Sequence, residues 1–322
     1  MRYLNLAGYA AIPIAYVVHL WIGRGQSWEP AATFALAALG VILLAHLMGE
    51  ATEHLSAKAG PTWGGLLNAT FGNAAELIIA VIALSKGLNE MVKASLTGSI
   101  LGNLLLVAGA SMVAGGWKRE RQRFSSSAAE ANGGLLLIGV AAMLVPAIFH
   151  FTAEGLHDSA IVAHEHNVSV ATSVILLLIY VAGLLFTLRT HSHLFTRCPV
   201  PQAGGDPSEA YFESKSSHGP GAEWSVKKSI IMLLLASAGI GFVAELLVGS
   251  AEQVAHSFGW NQVFVGVILL AIIGNAAEHS TAVMLAMRDD MDTAMTITYQ
   301  SSLQIALFAT PLLVFVSAAM VK

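Results

Sequence analysis

The sequence predicts an all-α, polytopic membrane protein built on inverted-topology repeats, and three observations carry that prediction. Of its 322 residues 55% are hydrophobic and 11% are charged, where a soluble domain carries about 25% charged residues. Apolar runs of about 20 residues, the length that crosses a hydrocarbon core, recur along the chain. The pentapeptide Gly-Asn-Ala-Ala-Glu occurs twice inside such runs, at residues 72–76 and 274–278.

Apolar runs bounded by charges and turn residues define nine helices, over residues 3–22, 31–50, 62–84, 91–115, 131–149, 170–188, 228–250, 262–287 and 293–320. The first run lacks a small-residue cleavage site and continues into a span, so it reads as a leading helix (residues 1–30) rather than a signal peptide. Residues 31–190 hold five helices, the first repeat. Residues 191–227, rich in Pro, Gly and Ser, form a cytoplasmic linker. Residues 228–322 hold three helices, and a second repeat comparable to the first needs two more, so the chain is expected to be a truncated form of a longer protein or to receive the missing pair from another chain. The polar stretch 150–169, with four histidines and no Lys or Arg, reads as an external solvated loop; its histidines could collect protons or bind a surface metal.

Lys and Arg set the orientation. With a cytoplasmic N-terminus, Arg2, Lys58, Lys118, Arg119, Arg121, Arg123, Arg189, Arg197, Lys215, Lys227, Lys228 and Arg288 fall inside. Only Arg24, Lys86, Lys93 and Lys322 fall outside. The third and eighth helices then cross the membrane in opposite senses. Their motifs, 202 positions apart, are each followed by a helix with a matching serine, Ser99 and Ser301. A motif duplicated in antiparallel helices marks an inverted repeat, whose substrate site lies near the midplane.

The chemistry of the motif points to a cation. An ionised carboxylate at the centre of a span costs about 2.5 to 3.5 kcal/mol on insertion scales, and no Lys or Arg lies near the middle of any span to offset Glu76 or Glu278. Their counterions must come from solution, as metal cations or protons. Gly72, Asn73, Gly274 and Asn275 weaken the helix just before each Glu, and an interruption there would turn carbonyl oxygens toward the ion. Carboxylates, carbonyls and amides together make the all-oxygen environment that suits Ca2+.

The paired motifs, their context "GGLLNATFGNAAELI", the helix "GSILGNLLLVAG" and the segment "SSLQIALF" resemble the calcium/proton exchanger (CAX) family of the calcium/cation antiporter superfamily, over residues 36–311. The resemblance implies an antiporter that binds Ca2+ between the two acidic motifs and returns protons through the same carboxylates, in a prokaryotic inner (cell) membrane with a cytoplasmic N-terminus. It also implies roles for Glu53 as an acid before the first motif, for Glu245 as its counterpart in the second repeat, and for His279, all three on a proton pathway. The sodium/calcium branch more often has Pro before the motif Glu, where this chain has Ala75 and Ala277, which favours protons. Many members carry an acidic helix between the halves; here Asp206, Glu209, Glu213 and Glu223 are broken by Lys215 and glycines, which argues against a regulatory Ca2+ site in the linker.

Several residues carry two readings. Asn73 and Asn275 suit either ion ligation or interhelical hydrogen bonding, and Ser99, Asn103, Ser301 and Gln304 either line the site or pack helices. Glu53 is either a solvated helix-end acid or a functional one, and His279 either a proton gate or a neutral histidine bonded to a carbonyl. The lone Cys198 excludes an internal disulfide. A net charge of −4 argues against nucleic acid. No nucleophile triad or phosphate-binding glycine loop suggests an enzyme, and no cofactor is expected: Ca2+ and H+ are substrates, and the lipid bilayer is the surrounding partner. A sodium-coupled exchanger and a cation channel remain as rival classes, and homo-oligomerisation stays open.

Overall fold

A computed structural model describes residues 10–22, 26–156, 159–191 and 224–320, and among them every regular element is helical. The helices are α1 Ala11–Trp21, α2 Glu29–Gly60, α3 Trp63–Ser85, α4 Asn89–Gly116, α5 Ser126–Thr152, α6 His164–Thr190, α7 Val226–Phe258, α8 Gln262–Met287 and α9 Met291–Met320. All but α1 are long and apolar enough to cross a membrane. The start expected for the leading helix, residues 3–9, and most of the linker, residues 192–223 with Cys198, lie outside the described residues.

Several ends depart from the hydropathy reading. α2 runs past Glu50 to Gly60, whose φ of 82° turns the chain sharply; only glycine takes that conformation without strain. α7 runs past Ser250 to Phe258 and ends on Gly259 at φ 69°, a left-handed C-cap. The external loop expected over residues 150–169 is mostly helix: α5 continues to Leu156, and helix resumes at Ser159 on the way into α6. Across these extensions His150 and Glu165 pair at 2.9 Å. His157 lies outside the described residues.

The core forms where α2 and α7 cross antiparallel beside α3. Gly40 faces Val243, Gly239 faces Leu44, and the Ser237 hydroxyl reaches Met48, so residue numbers rise on one helix as they fall on the other. Met48, Ile240, Val243 and Leu247 are fully buried in this seam. Lipid tails are as apolar as leucine, so what holds spanning helices together is close packing, and small residues permit it. α1 docks on the same pair, its Tyr16 hydroxyl donating to the Phe242 carbonyl at 2.7 Å. α3 and α8 are positioned against this frame, with α4 and α9 beside them.

Candidate functional site

The two motifs meet. A methyl group on Gly274 would stand 3.1 Å from Glu76 Cγ and 3.4 Å from its Oε1, and one on Gly72 would stand 3.8 Å from Glu278 Oε1. Each glutamate therefore lies over the glycine of the other motif, and α3 and α8 cross antiparallel at this point. The missing side chain of Gly274 leaves room for Glu76, while Glu278 stands at ordinary contact distance from the Gly72 position.

The two motif helices differ in their backbone. α3 is interrupted at Gly72 and Asn73 and restarts at Ala74, which puts Glu76 in the first turn of a helix. There the positive end of the helix dipole favours the carboxylate. The Ala69 carbonyl, just before the break, accepts from the Tyr180 hydroxyl at 3.2 Å. The interruption expected at the second motif does not occur: α8 is continuous from Ala271 to Met287, preceded by a π-helical stretch over Val265–Leu270. Asn275 Nδ2 donates back to the Ala271 carbonyl at 2.8 Å, satisfying an oxygen that an interruption would have exposed.

Neutral side chains bind the four inner helices into one directed string. His279 Nε2 meets Asn103 Oδ1 at 3.1 Å; Asn103 Nδ2 donates to Ser301 Oγ at 2.9 Å; Ser301 Oγ donates to Asn73 Oδ1 at 3.2 Å; Asn73 Nδ2 donates to Gln304 Oε1. On the other side Asn275 Nδ2 donates to Ser99 Oγ at 2.8 Å. Each motif asparagine thus bonds the serine that follows the other motif. Asn73, Asn275, Ser99, Asn103, Ser301 and Gln304 are all buried. Both asparagines serve as interhelical bonds in this arrangement, and Asn275 keeps an oxygen to spare.

That oxygen is one of three. Glu76 Oε2, Glu278 Oε2 and Asn275 Oδ1 are shut away from solvent without a hydrogen-bond partner among the described residues. Leaving a buried acceptor unsatisfied costs about 1 to 3 kcal/mol, more for a charged one. Neither glutamate pairs with a Lys or Arg among the described residues. Two carboxylates and an amide oxygen facing inward are hard donors that a Ca2+ ion or protons can satisfy. No cluster of three or more His, Cys, Asp or Glu suited to a metal occurs among the described residues, so the donor set rests on two acids and neutral oxygens.

Glu53 and Glu245 lie elsewhere. The register of α2 against α7 puts them toward opposite ends of the bundle. Glu53 is exposed near the linker-side end, beside His54, which stacks on Trp224. Glu245 is exposed toward the other end, where its carbonyl accepts from Lys86 Nζ at 3.1 Å. The 202-residue offset sets Glu53 opposite Ala255, so Glu245 is not its counterpart. Sequence reading missed Tyr180, whose signal was a lone phenol inside an apolar run, where the hydroxyl needs a partner. It also missed the π-helical stretches Gly102–Val107 in α4 and Ile305–Ala309 in α9. Such segments often mark functional sites.

Comparison with known proteins agrees with this architecture. Residues 30–189 and 228–322 match the family described as sodium/calcium exchanger protein. The chain is 42% identical over 312 residues to the Ca(2+)/H(+) antiporter of Synechocystis, covering 95% of this chain and 80% of that protein. It is 44% identical over 297 residues to the Ca(2+)/H(+) antiporter ChaA of Bacillus subtilis, covering 92% of this chain and 79% of that one. Among solved structures it resembles the crystal structure of the Ca2+/H+ antiporter protein YfkE, with a TM-score of 0.75 at 38% identity over 100% of this chain and 84% of that one. An H+/Ca2+ exchanger, CAX, shares the fold with a TM-score of 0.66 at 14% identity, over 99% of this chain and 74% of that one. With its two acidic motifs crossed at the centre of a helical membrane bundle, the chain belongs to the sodium/calcium exchanger protein family.

Proposed function

We propose that the chain exchanges Ca2+ for H+ across a membrane through Glu76 and Glu278. The observation that carries this reading is the reciprocal crossing, which brings two uncompensated carboxylates together with one free oxygen each. Two carboxylates balance one divalent cation or two protons. In a low-dielectric interior either occupancy is neutral, while the empty ionised pair is costly. Binding of one substrate therefore displaces the other, which is the elementary requirement of exchange. The Ca2+/H+ antiporters among its relatives support the same reading. The bias of Lys and Arg supports a cytoplasmic N-terminus and linker, and an inward proton gradient would then drive Ca2+ outward.

The test is uptake of radiolabelled Ca2+ into proteoliposomes with and without an imposed proton gradient. Glu76→Gln and Glu278→Gln keep the shape and an oxygen but remove the charge, and each should abolish gradient-driven uptake while the protein still inserts. Near-normal coupled uptake by either variant would refute the assignment. The family's name keeps sodium as a second coupling ion to test; a Ca2+-induced pH change in sodium-free proteoliposomes decides for protons.

A further inference from the structure

On the linker side, α5, α6 and α9 enclose a pocket lined by Asn132, Tyr180, Thr187, Gln300 and Gln304 among leucines. Asn132 is only 2% exposed, and its Oδ1 has no hydrogen-bond partner among the described residues. Thr187 lies one turn inside the linker-side end of α6. Gln304 lies about 20 Å into α9 from that side, at 1.5 Å per residue. The pocket therefore lies between the linker-side boundary and the motif cluster, with room for about two water molecules. Its lining contains no carboxylate, so it offers a divalent cation no charge to offset the loss of its hydration. Amides and hydroxyls suit water.

On the opposite side of the cluster α4 and α8 pack closely. A methyl group on Gly98 would stand 2.2 Å from the Val267 carbonyl oxygen, and one on Gly266 would stand 2.6 Å from the Met91 carbonyl oxygen, so α4 and α8 touch backbone to backbone there. The 202-residue offset that relates the motifs sets Gln300 in the place of Gly98. The same position is a closely packed glycine on one side and a glutamine at a pocket on the other. At the pocket's inner end, Gln304 Oε1 and Glu278 Oε1 lie 3.2 and 3.8 Å from the point a Gly72 methyl would occupy.

We infer that this pocket is a water-filled proton route between the linker side and Glu278, with Asn132 and Gln300 orienting the water. A hydronium at the outer end hands its proton through the enclosed waters. At the inner end a water O–H bond breaks as an O–H bond forms on the Glu278 carboxylate, and the reverse sequence releases the proton. The inference rests on the proposed exchange, since it supplies that reaction's protons.

Two measurements on the full chain test it. In a Cys198→Ser background, Asn132→Cys should react with a water-soluble methanethiosulfonate reagent, while Leu136→Cys, buried on the same helix, should not. In proteoliposomes, Asn132→Leu and Gln300→Leu should each slow gradient-driven Ca2+ uptake by at least about tenfold, the lower range of a lost proton-transfer step. Equilibrium Ca2+ binding should stay unchanged, and Asn132→Ser, which readmits water, should recover most of the rate. Parental rates in both leucine variants, equal loss of Ca2+ binding and rate, or an unreactive Asn132→Cys would each overturn the proton route. A parent chain without proton-driven uptake would instead defeat the proposed exchange, and thiol labelling would still decide whether the pocket is wet.

Discussion

Replacing Gly98 by alanine tests whether the contact of α4 with α8 holds the second motif in place. The new methyl would fall 2.2 Å from the Val267 carbonyl oxygen and 2.5 Å from Val267 Cα, where ordinary contact begins at 3.4 Å. Both obstacles are backbone, so no side chain can rotate away, and the two helices must part by about 1 Å. Overpacking of this kind costs about 1 to 3 kcal/mol. The adjacent bond from Asn275 to Ser99, now 2.8 Å, would stretch beyond hydrogen-bond length. That leaves the buried Asn275 amide with only its bond to the Ala271 carbonyl and adds about 1 kcal/mol. The expected total is about 2 to 4 kcal/mol. Gly109→Ala is the matched control, because it lies on the same helix with nothing within 4 Å of the new atom. Thermal unfolding of the purified protein in detergent, followed by tryptophan fluorescence, should show Gly98→Ala melting several degrees below both parent and control. Its apparent Ca2+ affinity should fall as well. A Gly98→Ala protein that melts with the parent and binds Ca2+ equally well would show that the backbone contact does not position the motif.

Tyr180→Phe keeps the ring stacked on Phe308 but removes the donor to the Ala69 carbonyl. It should weaken Ca2+ affinity several-fold, equivalent to about 1 kcal/mol, with little change in melting. Arg119 joins the ends of two helices, donating to the carbonyls of Gly115 at 3.0 Å and Met287 at 2.9 Å while its Nε approaches Asp289 at 3.3 Å. A lysine cannot make that fork, so Arg119→Lys should lower stability by about 1 to 2 kcal/mol in the same melting assay. His279 meets Asn103 Oδ1 through Nε2, a contact a glutamine amide can imitate. His279→Gln should therefore retain Ca2+ affinity and the pH dependence of exchange, and a flattened pH profile would instead make the ring itself a proton carrier.

The sequence announced the crossing of α3 and α8, because a polar motif duplicated in oppositely directed helices has few places to go but toward its copy. It could not announce that each glutamate sits over the other motif's glycine, since that depends on register between helices 202 residues apart. Hydropathy located Glu245 along its helix and left Glu53 just past the end of one, and it said nothing about which face either occupies; both proved exposed, toward opposite ends of the bundle. The stretch 150–169 was read as a loop because it is polar. Polarity decides where a chain leaves the hydrocarbon, not where it leaves the helix, and helix extends into it from both sides. Asn132 and Tyr180 gave only faint signals because each occurs once, without a duplicate to single it out.

The directed string from His279 through Asn103, Ser301 and Asn73 to Gln304 bears on why the cluster holds two acids and no more. Each donor in the string is matched to an acceptor, so it fixes the rotamers of side chains from α3, α4, α8 and α9 without any ion. An aspartate at position 103 would lose the amide that donates to Ser301. It would also place a third negative charge where only one divalent ion or two protons balance the existing pair. The neutral residues therefore hold the geometry while Glu76 and Glu278 hold the charge. In the proposed exchange the same framework would serve a Ca2+-loaded and a protonated site, each substrate neutralising the two carboxylates in turn.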